Sequence, residues 1–162
     1  MSEPTRAFRD HLVRVLDWDD AHVTFDRAVE GIPADKRGAR AAGFEHSSWQ
    51  LLEHIRIAQE DILDFCINSA YAHAMRWPDD YWPRDPAPPG PAAWAESLEA
   101  FRRDGESLKQ LVADPSLDLF AKIPHGTGQT CLREVLLVAD HNSYHVGQLV
   151  LVRRLLGIWP AA

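Results

Sequence analysis

A pair of histidines near the carboxyl end of the chain has the spacing of two metal ligands on one helix. His141 and His145 are four residues apart in the segment DHNSYH. In a helix their rings are separated by about 40° around the axis and about 6 Å along it. The same face carries apolar residues, namely Leu137, Val138, Leu149, Val152 and Leu155. We therefore expect both imidazoles to point into the core, where histidine is found less often than aliphatic residues.

A third histidine, His54, lies on an apolar face of an earlier segment, together with Leu51, Ala58 and Phe65. A pair at i and i+4 and one ring from a facing helix are a usual way to build a three-histidine metal site. The alternative is a metal-free core in which each ring is hydrogen-bonded to a backbone carbonyl or a carboxylate. Each buried ring needs a partner for both nitrogens, and a shared cation supplies one to all three. Spacing and face alone leave both interpretations open.

A three-histidine site has a defined chemistry. Three neutral imidazoles leave at least one coordination position of Zn²⁺ open, and a water there has its pKa lowered to about 7. A thiol in the same position is deprotonated and becomes a nucleophile. Zn²⁺ is the metal that we expect first. Ni²⁺ and Fe²⁺ also accept imidazole ligands, so the ligand type does not fix the identity of the metal.

Further polar residues fall on the inward faces of these segments. Glu134 and Gln148 share the histidine face, so either is expected to orient a ring or to lie in water at the end of the bundle. Asp61 is expected to orient a ring or to be solvated. His22, with Asp19 and Asp26 near it in the sequence, is expected to line a pocket above the metal or to form a buried ion pair, and the ion pair is favoured. Four other histidines are interpreted as surface residues: His11, His46, His73 and His125.

Composition and missing motifs argue against several classes of protein. The formal net charge of −7 and the pI near 5.5 oppose binding to a nucleic-acid backbone, which needs clustered lysine and arginine. Cys66 and Cys131 are too few for a disulfide framework, and no apolar stretch suits a transmembrane helix. The segment MSEPTRAFRDHL lacks the apolar core of a secretory signal, so we expect a cytoplasmic protein. The Glu-x-x-His motif of carboxylate di-iron bundles is absent.

Four segments with a helical apolar period must position the histidines. They cover residues 4–29, 47–71, 91–114 and 131–156. Ser47 and Gln50 fit a capping box at the start of the second segment, and Gly157 suits the end of the fourth. Six prolines fall between Pro78 and Pro91. The region of residues 72–91 has no clear period and is typical of a packed connector or of a lid over a site.

These elements predict an all-α fold, a four-helix bundle with long crossover loops. We expect residues 1–162 to form a single domain, since the length suits one core. Residues 117–130 are rich in turn-forming residues and are expected to include short extended pieces.

Several segments together resemble the DinB/YfiT-like superfamily of bacterial four-helix bundles. They are AH-x-x-F at residues 21–25, SSWQLLEHIRIAQEDIL from Ser47, DDYWP from Asp79 and DHNSYHVGQLVLVRRLLGIW from Asp140. The metal ligands of that superfamily are one histidine on the second helix and an H-x-x-x-H pair on the fourth. Residue by residue, the resemblance implies that His54, His141 and His145 bind a divalent metal ion. It also implies a homodimer, since members are often dimers.

The resemblance further implies a metal-dependent enzyme that acts on a small molecule, because some members are transferases or isomerases that use a low-molecular-weight thiol. We therefore expect a thiol S-transferase or a hydrolase, with residues 72–91 covering the site. The alternative is a non-catalytic metal-binding or stress-response bundle, which a fourth coordination position closed by Glu134 or Gln148 would favour. The superfamily's name refers to induction by DNA damage and implies no DNA binding. We expect neither a nucleic-acid nor a membrane partner.

Overall fold

The computed structural model describes residues 2–17 and 20–160, and within them the fold is all-α, as predicted. The helices are α1 (Glu3–Val15), α2 (Phe25–Val29), α3 (Ser48–Ile67), α4 (Ala93–Ala113) and α5 (Cys131–Leu155). Short 3-10 turns precede α3 and α4, and the predicted extended pieces after α4 amount to one bridge between Lys122 and Thr130. In the part of the chain that is described, each helix is too short or too polar to cross a membrane.

The four long helices pack as a bundle in which α3 contacts both α4 and α5, while α1 contacts α4 and, less extensively, α5. Two core clusters show the helix directions. One joins the early part of α3 and of α4 to the late part of α5. The other joins the late part of α3 and of α4 to the early part of α5. Helices α3 and α4 are therefore parallel, and α5 is antiparallel to both.

The parallel pair requires a crossover, and residues 68–92 supply it. Ser97 donates a hydrogen bond to Glu53 Oε1 near the start of the two helices, and Gln59 Nε2 donates to the carbonyl of Phe101 further along both. Because α3 and α4 run in the same direction, the chain has to return along the bundle between them. The predicted proline-rich connector is thus the long crossover loop of the bundle.

The prediction of one helix over residues 4–29 is wrong, because α1 ends at Val15 and α2 begins only at Phe25. The N–H of Asp17 turns back to the carbonyl of Arg14 and closes the last turn of α1. The Thr24 hydroxyl then accepts a hydrogen bond from the N–H of Arg27, which starts a new helix. Residues 18 and 19, which the prediction included, lie outside the described residues.

The helix that carries His54 begins as predicted and ends four residues earlier than predicted. Both hydrogen bonds of the capping box between Ser47 and Gln50 are formed. The helix ends at Ile67 because the Asn68 side chain accepts a hydrogen bond from the N–H of Ala70, which favours a turn over a further helical turn.

The ends of the last two helices are close to those predicted. Pro91 lies just before α4 rather than in its first turn, since the helix begins at Ala93. After α5, Gly157 has a φ of +68°, and the N–H of Ile158 bonds back to the carbonyl of Arg153. This is the left-handed glycine cap that the sequence indicated.

Candidate metal centre

The structure brings His54, His141 and His145 together in the bundle interior. One ring nitrogen from each residue lies within 4.8 Å of the others. The Nε2 atoms of His54 and His141 are 3.0 Å apart. On α5, the two histidines lie between the residues of one core cluster and those of the other. A helix directs residues i and i+4 to one side, so α5 presents its pair of rings to the single ring from α3.

Hydrogen bonds to the outer nitrogens fix two of the three rings. His54 Nδ1 is 3.0 Å from the carbonyl of Tyr81, and His145 Nδ1 is 2.7 Å from Oε1 of Gln148. Both partners are acceptors, so each Nδ1 carries the proton and donates it. A neutral ring with its proton on Nδ1 keeps the lone pair on Nε2. His54 and His145 therefore hold their Nε2 lone pairs ready for a ligand bond.

Aromatic stacking fixes the plane of the His54 ring. The indole of Trp82 lies 3.7 Å from the His54 ring, with only 5° between the planes. The opposite face of the indole stacks on His46 at 3.8 Å. His46 is half-buried in the wall of the site, and its interpretation as a surface residue is wrong. The same interpretation of His125 is also wrong, because this residue is half-buried with its Nε2 2.9 Å from the carbonyl of Phe65. The stack on Trp82 restricts rotation of the His54 ring about its side-chain bonds and excludes water from one face of the ring.

Burial keeps the three imidazoles neutral. Removal from water lowers the pKa of His54 to about 3 and that of His145 to about 4, and it also lowers the pKa of His141. Neighbouring imidazoles lower the pKa of His54 and His145 further, because two protonated rings would repel each other. At neutral pH all three rings are thus uncharged, which is the state that binds a metal ion.

A divalent cation fits this set of donors. The Nε2 lone pair of His54 faces Nε2 of His141 at 3.0 Å, a contact that is favourable only with a proton or a cation between the two atoms. Zn–N bonds of about 2.1 Å place the nitrogens of a tetrahedral site about 3.4 Å apart. The observed 3.0 Å and the 4.8 Å limit for the whole set bracket that spacing. The donor set alone does not distinguish zinc from nickel or iron.

The other predicted site residues are placed differently. Gln148 contacts His145, as described above. Glu134 is buried, but both of its carboxylate oxygens accept from Arg133 Nη1, at 2.8 and 3.0 Å. Among the described residues, no recorded hydrogen bond joins Glu134 to a triad ring, although it lines a cavity next to His141.

His22 is the clearest correction. It lies after the end of α1, is exposed, and has its Nδ1 2.9 Å from the carbonyl of its neighbour Val23. The expected ion pair with Asp26 is not formed, because the carboxylate of Asp26 accepts from Arg102 instead; Asp19, the other expected partner, lies outside the described residues. His22 lines a separate cavity, to which α4 and α5 also contribute and which none of the three triad histidines lines. The break in the first predicted helix explains the error, since the assumed inner face does not continue to this residue.

The sequence analysis did not identify three residues that surround the triad in the structure: His46, Tyr81 and Trp82. Tyr81 acts through its carbonyl, a group that every residue has and that no residue type reveals. The only signal for this region was the DDYWP segment, in which two aromatic residues follow two acids. Side chains from a loop meet the helices through long-range packing, which local periodicity does not report.

Gln148 provides a direct test of ring orientation. We expect Gln148→Leu to weaken zinc binding by about tenfold, because the His145 ring loses the acceptor for its Nδ1 proton. Zinc affinity would be measured by competition with a chromophoric chelator. Gln110→Leu, at an exposed position of α4, is the matched control and should leave the affinity unchanged. Equal affinities of the two variants would contradict the orienting role.

Comparison with known proteins identifies a family match over most of the chain. The family model described as the DinB superfamily matches residues 17–149. This range contains all three histidines, the crossover loop and the turns before α5. No curated protein and no solved structure matches the chain.

Proposed function

Because the chain belongs to the DinB superfamily and its three histidines converge, we propose that it is a metal-dependent enzyme acting on a small molecule, a thiol S-transferase or a hydrolase. The observation that carries the proposal is the orientation of the rings. Two outer nitrogens are occupied by oxygen acceptors, while one nitrogen from each ring points to a common centre. Histidine rings that only fill space in a core are not expected to direct one nitrogen each to a common centre.

In this proposal the protein's residues bind the metal ion, orient the histidine rings and shield the site from water. His54, His141 and His145 would hold the ion, while Tyr81 and Gln148 keep two of the rings in the correct tautomer. When bound, a divalent ion with three imidazole ligands acts as a Lewis acid and lowers the pKa of a coordinated water or thiol towards neutrality. Trp82 covers one face of His54 and keeps water from that side of the site.

The fourth coordination position separates the enzyme from its main rival, a non-catalytic metal-binding or stress-response bundle. A closed position would favour the rival. Gln148 is engaged with His145, and Glu134 is engaged with Arg133. The candidate ligands in the described part of the chain are the three histidines alone. These contacts support a site that is open to substrate on the side of His141.

Turnover by the pure zinc-loaded protein tests the proposal. One panel pairs low-molecular-weight thiols with electrophiles, and a second panel contains esters and amides. We expect metal-dependent turnover in one of the two panels, with loss of activity after chelation and recovery when zinc is restored. The apoprotein is the background control. If the loaded protein turns over neither panel, both named reactions are wrong and the non-catalytic alternative is favoured.

A further inference from the structure

A cavity of about 600 Å³ lies beside the triad. It is bordered by α3, by α5, by the crossover loop and by the turn before α5, and His141 forms part of its wall. Pockets for small molecules typically enclose about 300–1,000 Å³. The cavity is therefore large enough for a small organic molecule, and a molecule within it lies next to one of the three rings.

Aromatic side chains form much of the cavity wall. Phe65, Tyr71, Trp77 and Tyr81 all line it. Trp77, in the crossover loop, is 63% exposed although it lines the cavity. An exposed indole at the edge of a cavity offers a ligand an apolar ring face that carries partial negative charge. This wall suits an aromatic or aliphatic body, and its π-faces favour a positive charge.

The charged groups of the cavity have the opposite sign to such a ligand. Asp61 and Glu134 contribute two carboxylates, while Arg133 contributes the one guanidinium among the described lining residues. Arg133 already donates to both oxygens of Glu134. Apart from the imidazoles of His73, His125 and His141, the lining therefore carries one net negative charge, and its guanidinium is already paired. An anionic ligand would meet Asp61 without an unpaired guanidinium or ammonium group of the lining to offset the repulsion.

Asp61 keeps acceptor capacity for a ligand. Its Oδ1 accepts a hydrogen bond from the hydroxyl of Tyr71 at 2.8 Å, and its Oδ2 accepts from the hydroxyl of Tyr81 at 2.5 Å. Burial and the neighbouring carboxylate raise the pKa of both phenols, so they stay protonated donors. Each carboxylate oxygen can accept a second bond. The two tyrosines thus hold the carboxylate in place at the cavity wall.

We propose that this cavity binds a small organic cation, an amine with an apolar body, whose ammonium group faces Asp61. The catalytic part of this inference rests on the proposed function, since the cavity would present the reacting group of the amine to the ion at the triad. The charge of the lining makes a carboxylate-bearing thiol a poor occupant. Among the two reactions, the cavity favours hydrolysis of an uncharged ester or amide bond in a molecule that carries an amine.

Three probes of nearly equal shape and different charge test the proposal: 3-phenylpropylammonium, 3-phenylpropanol and 3-phenylpropionate. Binding would be measured by calorimetry on the full chain after removal of metal with a chelator, because a carboxylate could otherwise bind zinc itself. We expect the ammonium probe to bind about tenfold more tightly than the carboxylate probe. Equal binding, tighter binding of the carboxylate, or no binding of any probe at millimolar concentration would overturn the proposal.

Two variants locate the binding, and a third is the control. Asp61→Asn keeps the shape of the side chain and should remove most of the preference for the ammonium probe. Trp77→Ala should weaken all three probes, while Phe120→Ala, at an exposed residue outside the cavity lining, should change none. Thermal unfolding of each variant verifies that it is folded. A preference that survives Asp61→Asn would assign the charge recognition to another site and contradict the proposal.

The experiment separates failure of this proposal from failure of the enzyme proposal. If the apoprotein binds the ammonium probe but the triad holds no metal and neither panel is turned over, the cavity proposal stands and the enzyme proposal fails. If zinc-loaded protein turns over an anionic thiol while the ammonium probe does not bind, the enzyme proposal stands and the cavity proposal fails.

Discussion

Alanine substitution of His54 or His141 is expected to abolish stoichiometric metal binding. Each substitution removes one of three neutral nitrogen donors, and two remaining imidazoles form a much weaker site. The wild-type protein, purified without a polyhistidine tag and without added metal, should contain close to one divalent ion per chain. The two variants should contain almost none, and their zinc affinity should fall by at least about a hundredfold. Metal content would be measured by elemental mass spectrometry.

His11→Ala is the matched control, because His11 lies on an exposed face of α1. This variant should retain the full metal content of the wild type. Helical circular dichroism would show that His54→Ala and His141→Ala remain folded. If the wild type contained no metal and did not bind added zinc, the triad would be a hydrogen-bonded core cluster, and the metal site would be disproved. Metal retained in both triad variants would place the ion elsewhere.

Metal content, combined with activity, distinguishes three interpretations of the protein: a metal-free scaffold, an enzyme and a non-catalytic metal-binding bundle. A wild type that contains no metal and does not bind added zinc selects the hydrogen-bonded scaffold. Metal that depends on the triad, together with turnover in one of the panels, selects the enzyme. Metal that depends on the triad without turnover selects the non-catalytic bundle. The three results are mutually exclusive, so metal content and activity measured on the wild type and the two triad variants are sufficient.

The inward direction of the histidines could be predicted because helical geometry is local. On α5, a rotation of about 100° per residue fixes which residues share a face, and the buried Val138, Leu149 and Val152 mark the inner one, although Leu155 of the same predicted face is exposed in the last turn. The capping box at Ser47 set the start of α3 in the same local way. Once the faces of α3 and α5 were known, the meeting of three rings in one bundle followed from the packing of apolar surfaces.

The remainder of the site depends on contacts between residues far apart in the chain. The partner of His54 Nδ1 is a backbone carbonyl in the crossover loop, 27 residues away. His46 is a wall residue only because Trp82 of the same loop reaches it. The error at His22 has a related cause, because an apolar period extended through residues that form no helix. Loop conformation is set by tertiary packing, so neither period nor residue type predicts these contacts.

Loss of the Trp82 ring is expected to have the largest effect of any change in the crossover loop. The indole packs between His54 and His46, at 3.7 and 3.8 Å from their rings. Trp82→Ala removes both stacks and leaves a gap beside a buried imidazole, so we expect the free energy of unfolding to fall by about 3 kcal/mol. The freed His54 ring should also weaken zinc binding by about tenfold. Chemical denaturation and chelator competition measure the two effects.

Two comparisons show whether the effect comes from stacking on the triad. Trp82→Phe keeps an aromatic plane against His54 and should recover most of the zinc affinity and part of the stability. Trp77→Ala removes an exposed indole of the same loop whose ring is 6.0 Å from that of His54 and inclined by 42°, so that it does not stack on the triad; this change should alter the stability by less than about 1 kcal/mol. If Trp82→Ala lowered stability no more than Trp77→Ala, the loop would not be held through its contact with the histidines. In that case residues 68–92 would cross the bundle without supporting the metal centre, and the ring orientation would depend on the helices alone.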